Sequence, residues 1–176
     1  MGRLLDVKNL SISFGGIKAV QDLNFHINTG EILALIGPNG SGKSTTVNMI
    51  SGVYIQNTGT IFFDGKEISP KMSIADRAKL GISRTFQTPK PFAHLSVYDN
   101  IYTIALQKNS KAQAAELTDE VLNLTKLYDL KDMKSGKLSI EKRKWMDLAR
   151  CMATKPKIGR IKPIRDGIQL RSGSSD

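Results

Sequence analysis

The sequence has a single cysteine, Cys151, among its 176 residues. That excludes an internal disulfide and fits a reducing compartment. No apolar run approaches the ~20 residues that span a bilayer. The opening Met1–Asp6 stretch is too short in apolar residues for a secretory signal. Gly2 invites an acylation reading, but Asp6 stands where a Ser or Thr is required. Acids are scarce: 16 against 26 Lys and Arg, for a net charge of +10. The excess is uneven, with seven bases against three acids over 131–150 and six against two over 155–176. Aromatics are few, at 6%, and none interleave with the bases as nucleic-acid binding would want, so no nucleic-acid partner is expected. What remains is 40% hydrophobic and 24% charged, the balance of a folded globular domain with a sizeable core.

Residues 37–45 carry the strongest signal. They read Gly37-Pro38-Asn39-Gly40-Ser41-Gly42-Lys43-Ser44-Thr45 and fit G-x-x-x-x-G-K-[ST]. Glycines let successive backbone N–H groups turn inward on an anion. Lys43 brings a point charge to the β- and γ-phosphates, and the Ser44 hydroxyl can ligate Mg²⁺. Glu31–Ile36 before the loop reads as a buried strand, and Lys43–Ile50 after it as a helix whose positive end faces the phosphates. The motif specifies a nucleotide; alone it does not choose between an ATPase, a GTPase and a kinase.

Upstream, Leu4–Leu10, Ser11–Phe14 and Ala19–Ile27 read as strands, with Gly15-Gly16 as a turn. Gly59–Phe63 is a further strand ending at an Asp64-Gly65 turn, and Ile82–Phe86 another. Ser73 and Asp76 form a capping pattern for a short helix that stops at Gly81. From residue 96 the period becomes helical. Ser96 opens a helix with Val97, Ile101 and Ile104 on one face. A second carries Leu117, Val121, Leu124 and Tyr128, and a third starts near Ser139 with Trp145, Leu148 and Met152 together. These stripes predict core, with Cys151 packed as a small apolar residue.

The loop sequence, Phe14 in Leu10–Gly16, and Gln87 in Ser83-Arg84-Thr85-Phe86-Gln87 together resemble the nucleotide-binding subunit of an ABC transporter over about residues 3–157. The absence of an Asn-Lys-x-Asp motif argues against a GTPase. The resemblance implies an α/β fold, a P-loop NTPase core of ABC type, with an N-terminal antiparallel β subdomain and a helical subdomain. It implies ATP and Mg²⁺ as ligands, Phe14 as the aromatic against adenine, and Gln87 as the amide reaching Mg²⁺ and the attacking water. It also implies a second ATP-binding subunit, membrane subunits, and a cytoplasmic position on the inner face of the membrane. Gly81–Gln87 and Phe92–Ile101 are similar to the ATPases of branched-chain amino acid importers, with urea-type importers as near relatives. The expected division is 1–95 for the core, 96–157 for the helical subdomain, and 158–176 for an atypical basic tail without order.

Two motifs depart from the family pattern. The Leu-Ser-Gly-Gly-Gln signature falls on Leu138-Ser139-Ile140-Glu141-Lys142, which keeps Ser139 and loses both glycines. Ser139 would grip the γ-phosphate held by the other subunit. Glu141 would set a like charge against it, worth about 1–4 kcal/mol at ~4 Å. The acidic pair expected after an apolar strand beyond Pro156 is missing, since the acids there are Asp166 and Asp176. His26 and His94 stand too early in the chain for the switch histidine. The expectation is a fold incomplete at its C-terminus, frame-shifted or replaced after about residue 158, that binds nucleotide without efficient hydrolysis. An exposed edge beside the phosphate-loop strand would follow.

Overall fold

A computed structural model of the chain describes residues 2–85, 90–164 and 167–172, with side chains as far as Ile158. The chain forms two compact units, Met1–Arg84 with Pro156–Asp176, and Thr85–Lys155. The first contains β1 (Arg3–Phe14), β2 (Ile17–Asn28), β3 (Ile32–Ile36), α1 (Lys43–Ile50), β4 (Thr58–Phe63), β5 (Lys66–Glu67) and α2 (Ile74–Leu80). The second contains α3 (Val97–Ala105), α4 (Lys111–Leu124) and α5 (Ile140–Ala153). The first unit then closes with β6 (Ile158–Ile164) and β7 (Gly167–Ser172).

In the first unit, an antiparallel sheet of order β2-β1-β4-β5 supplies most of the core. β1 is one continuous strand rather than two pieces. Its buried residues change phase, from Leu5 and Val7 to Leu10 and Ile12. The register shifts between Val7 and Leu10, where Asn9 takes φ +49°. That bulge turns both apolar pairs to the same side. Gly15 and Gly16 both have positive φ, and the tight β1–β2 turn needs it.

The second sheet has the order β3-β7-β6, and all its pairings are antiparallel. β3 is not buried throughout, as its apolar run predicts. Leu33 and Leu35 pack on the core, whereas Ile32 is exposed and Ile36 is 81% exposed. Among the described strands β7 is its one neighbour.

The tail expected to lack order also differs, because Ile158–Ile164 and Gly167–Ser172 are strands. The overlooked signal is short. Ile168 and Leu170 alternate with Gln169 and Arg171, and four residues with the period of a strand suffice beside an open edge. Ile158 is itself buried, and its amide donates to the Gly81 carbonyl at 3.1 Å.

In the second unit, α3, α4 and α5 pack around Val97, Ile101, Leu117, Val121, Leu122 and Met146. The helices begin where the caps predict. Ser96 and Ser139 each accept a bond from the backbone amide three residues on, and Ser110, a cap not foreseen from the sequence, does the same for α4. The stripes need correction. Leu124 and Trp145 are exposed, and Tyr128 lies in a 3-10 turn beyond α4. Leu148 and Cys151 are buried. The unit starts at Thr85, ahead of the expected boundary at 95. The reason is local: Asn100, fully buried, bonds both the amide and the carbonyl of Phe92. Ser135 N–H and Gly136 N–H donate to the Leu95 and Ala93 carbonyls.

Candidate nucleotide-binding site

The loop between β3 and α1 is folded around its own lysine. Lys43 Nζ donates to the carbonyls of Gly37 at 2.5 Å and Pro38 at 2.7 Å, and to Ser41 Oγ at 3.3 Å. Ser41 N–H closes a turn onto the Pro38 carbonyl at 3.2 Å. Gly42 stands at the N-cap of α1 with φ +82° and no side-chain bond to the helix amides. A Cβ there would come within 2.5 Å of the Ala19 carbonyl oxygen and 2.8 Å of Val20 Cγ2. The loop backbone thus lies directly on β2, which only glycine permits.

The charge pattern is one-sided. The first turn of α1 holds no acid, so Lys43 and the helix N-terminus act with the same sign. Thr46 is turned away from the mouth, its Oγ1 donating to the Gly42 carbonyl at 3.0 Å. Ser44 is exposed at the helix start. This is a cradle of the sign that a phosphate chain needs. Among the described residues, no cluster of three His, Cys, Asp or Glu could hold a metal alone. A hydroxyl with phosphate oxygens completing the shell suits Mg²⁺, which keeps few protein ligands.

Phe14 ends β1 and is 45% exposed. Its ring meets Tyr54 edge to face, with centroids 5.2 Å apart at 68°. Ser139 lies in the other unit, where its Oγ accepts from the Lys142 amide at 3.3 Å. Glu141 is in that same first turn. Arg150 stacks over Phe92 at 5.1 Å and donates to the Lys90 carbonyl at 3.1 Å. Gln87 lies outside the described residues. Ile61–Asp64 belongs to β4 and its turn, within the antiparallel sheet.

Sequence reasoning missed Tyr54, Asn48 and Arg84. Arg84 Nη1 bonds Asn48 Oδ1 of α1 at 2.5 Å and Ser51 Oγ at 3.0 Å. Burial lowers its pKa from the ordinary arginine value, and the interaction with Tyr54 opposes that. The sequence offered no period that would turn Arg84 inward. Tyr54 was within reach, as an aromatic shortly after the phosphate-loop helix.

A glycine-rich loop between strand and helix, with its lysine folded over it, defines a phosphate-binding nucleotide domain. Residues 20–159 match the ABC transporter family. The chain belongs to that family, as an ATP-binding domain. It is 31% identical over 169 residues to the probable branched-chain amino acid transport ATP-binding protein LivG of Methanocaldococcus jannaschii, covering 88% of this chain and 65% of that protein. It is 34% identical over 155 residues to the lipopolysaccharide export ATP-binding protein LptB of Escherichia coli K12, covering 87% and 64%. A solved ATP-binding cassette of an ABC transporter in its ADP conformation superposes with a TM-score of 0.75 at 31% identity, covering 89% of this chain and 67% of that one. The chain thus spans about 65% of the length of its LivG relative.

Proposed function

We propose that this chain is the ATP-binding subunit of an ABC importer, coupling nucleotide binding to solute uptake through membrane subunits. The observation that carries the reading is the Lys43 cradle. A lysine held by two loop carbonyls sits where a phosphate chain would exchange them for its own oxygens. In this reading Gly37–Thr45 bind the phosphates, and Lys43 neutralises charge on the β- and γ-groups. Ser44 and Gln87 hold Mg²⁺, whose role is to offset phosphate charge. Phe14 packs on adenine, and Ser139 reaches the nucleotide of a second ATP-binding subunit. The assembly sits on the cytoplasmic face of the membrane.

The solute is assigned by resemblance to branched-chain amino acids. Gly81–Gln87 and the LivG relatives support this, while LptB at comparable identity makes it the less specific part of the reading. Within these 176 residues no apolar strand ends in an acidic pair, which favours binding with weak turnover. Titration of the purified chain with Mg·ATP tests the reading. Binding that Lys43→Ala abolishes supports it. A chain with no nucleotide affinity overturns it. Rapid turnover, lost in Lys43→Ala, overturns the weak-hydrolysis part alone.

A further inference from the structure

The far end of α1 holds a cation that the sequence gives no reason to expect there. Arg77 of α2 has 0% exposure. Its Nη1 donates to the Met49 carbonyl at 2.8 Å and the Ile50 carbonyl at 2.9 Å, the last two of α1. Its Nη2 donates to the Ser69 carbonyl at 3.2 Å and the Pro70 carbonyl at 3.4 Å, and Nε to the Met72 carbonyl at 3.3 Å. Among the described residues no carboxylate forms an ion pair with it. Gly52 makes room: a Cβ there would stand 2.9 Å from Arg77 Nε, and its φ is +81°.

A buried charge without a counter-ion is costly unless dipoles offset it. The dipoles are the five carbonyls. The cation at the other end of the same helix, Lys43, has the same sign and offsets none of that cost. α1 has eight residues, about 12 Å of helix, with Lys43 at its start and the Arg77 guanidinium at its end. The helix is negative at its C-terminus, and Arg77 cancels that end. The N-terminus, with no acid in its first turn, is left to present net positive potential at Gly42 and Lys43.

We propose that Arg77 is a positioning residue for nucleotide binding that also supplies charge: it fixes the C-terminal end of α1 and raises the positive potential felt by phosphates at the other end. The inference rests on the nucleotide reading of the Lys43 loop. Its signature is an affinity loss graded by phosphate charge, which a merely structural residue would not produce.

Calorimetric titration of the full 176-residue chain with ATP, ADP and AMP, each with Mg²⁺, provides the test. Arg77→Met should lose about tenfold for ATP, about threefold for ADP and under twofold for AMP. Arg77→Lys keeps the charge and should stay within about twofold of the parent for all three. An equal loss for all three nucleotides in Arg77→Met overturns the inference. So does an Arg77→Lys loss as large as that of Arg77→Met. If Arg77→Met does not fold, Arg77→Lys decides, with parental affinities supporting the inference and a tenfold loss for ATP overturning it. A parent chain that binds none of the three overturns the nucleotide reading itself. A parent that binds normally beside a uniform variant loss removes only the role given to Arg77.

Discussion

α1 and α5 both open at a motif associated with phosphate, and their first turns are built differently. At α1 the cap is Gly42, in a left-handed conformation with no side-chain bond to the helix amides, and no acid follows. At α5 the cap is Ser139, whose hydroxyl takes the Lys142 amide, and Glu141 follows at once. A helix start binds an external anion only if its own side chains leave the amides and the potential to it. α1 does. α5 satisfies part of its terminus internally and places a carboxylate in the same turn. The preserved Ser139 is therefore a weaker sign of function than its place in the motif implies, because capping alone accounts for its geometry.

The contrast can be broken most strongly at Lys43. Lys43→Ala removes the cation and three intraloop bonds, and Mg·ATP affinity should fall by at least about 100-fold in a titration of the purified chain. Gly42→Ala comes next. It forces a side chain into positive φ and against the Ala19 carbonyl, so urea denaturation should show a loss of about 2–4 kcal/mol. The matching change at the other helix, Ser139→Ala, should cost about 1 kcal/mol and leave ATP binding by the isolated chain unchanged. A drop in its ATP affinity would show that Ser139 does more than cap.

The smallest effect belongs to a third helix start. The Asp76 carboxyl at the head of α2 is held below the usual carboxylate range, first by its bond from Ser73 and then by Lys79. Its native pKa is lower than its unfolded value. Its contribution is therefore present above the ordinary carboxylate pKa and lost as pH falls through the native one. The Tm offset between the parent and Asp76→Asn should be small at pH 7, persist down to the ordinary carboxylate pKa, and vanish only on acidification below the lowered native one. An offset that grows with acidification contradicts this sign.

Helix starts were legible because capping is local: Ser73, Ser96 and Ser139 fix their ends with neighbours three residues away. Which face turns inward is decided by the rest of the fold. α2 shows it best. Its apolar Ile74 and Leu80 are 48% and 44% exposed, while Arg77 is the residue sealed inside. No apolar-period argument puts an arginine in a core, because its partners are carbonyls from distant turns and leave no mark in the text of the helix. The strand, loop and helix about residues 37–45 were legible, since nine consecutive residues carry the pattern. The aromatic and arginine contacts around it, Tyr54 on Phe14 and Arg84 on Asn48, join segments whose meeting the sequence does not announce. β3 failed for a related reason: an apolar run states that a strand wants burial, and Ile36 shows that the described residues cover only one side of it.

Cys151 gives the molecule a built-in clock. It is the sole thiol, it is buried, and it sits on α5 in the helical unit, as does the sole tryptophan, Trp145. A thiol reagent can reach buried Cys151 only when the packing over it opens, so the labelling rate of the unaltered chain measures the frequency of that opening. Mass spectrometry at intervals, with and without nucleotide, would report whether filling the loop at Lys43 slows motion in a unit that contains none of that loop.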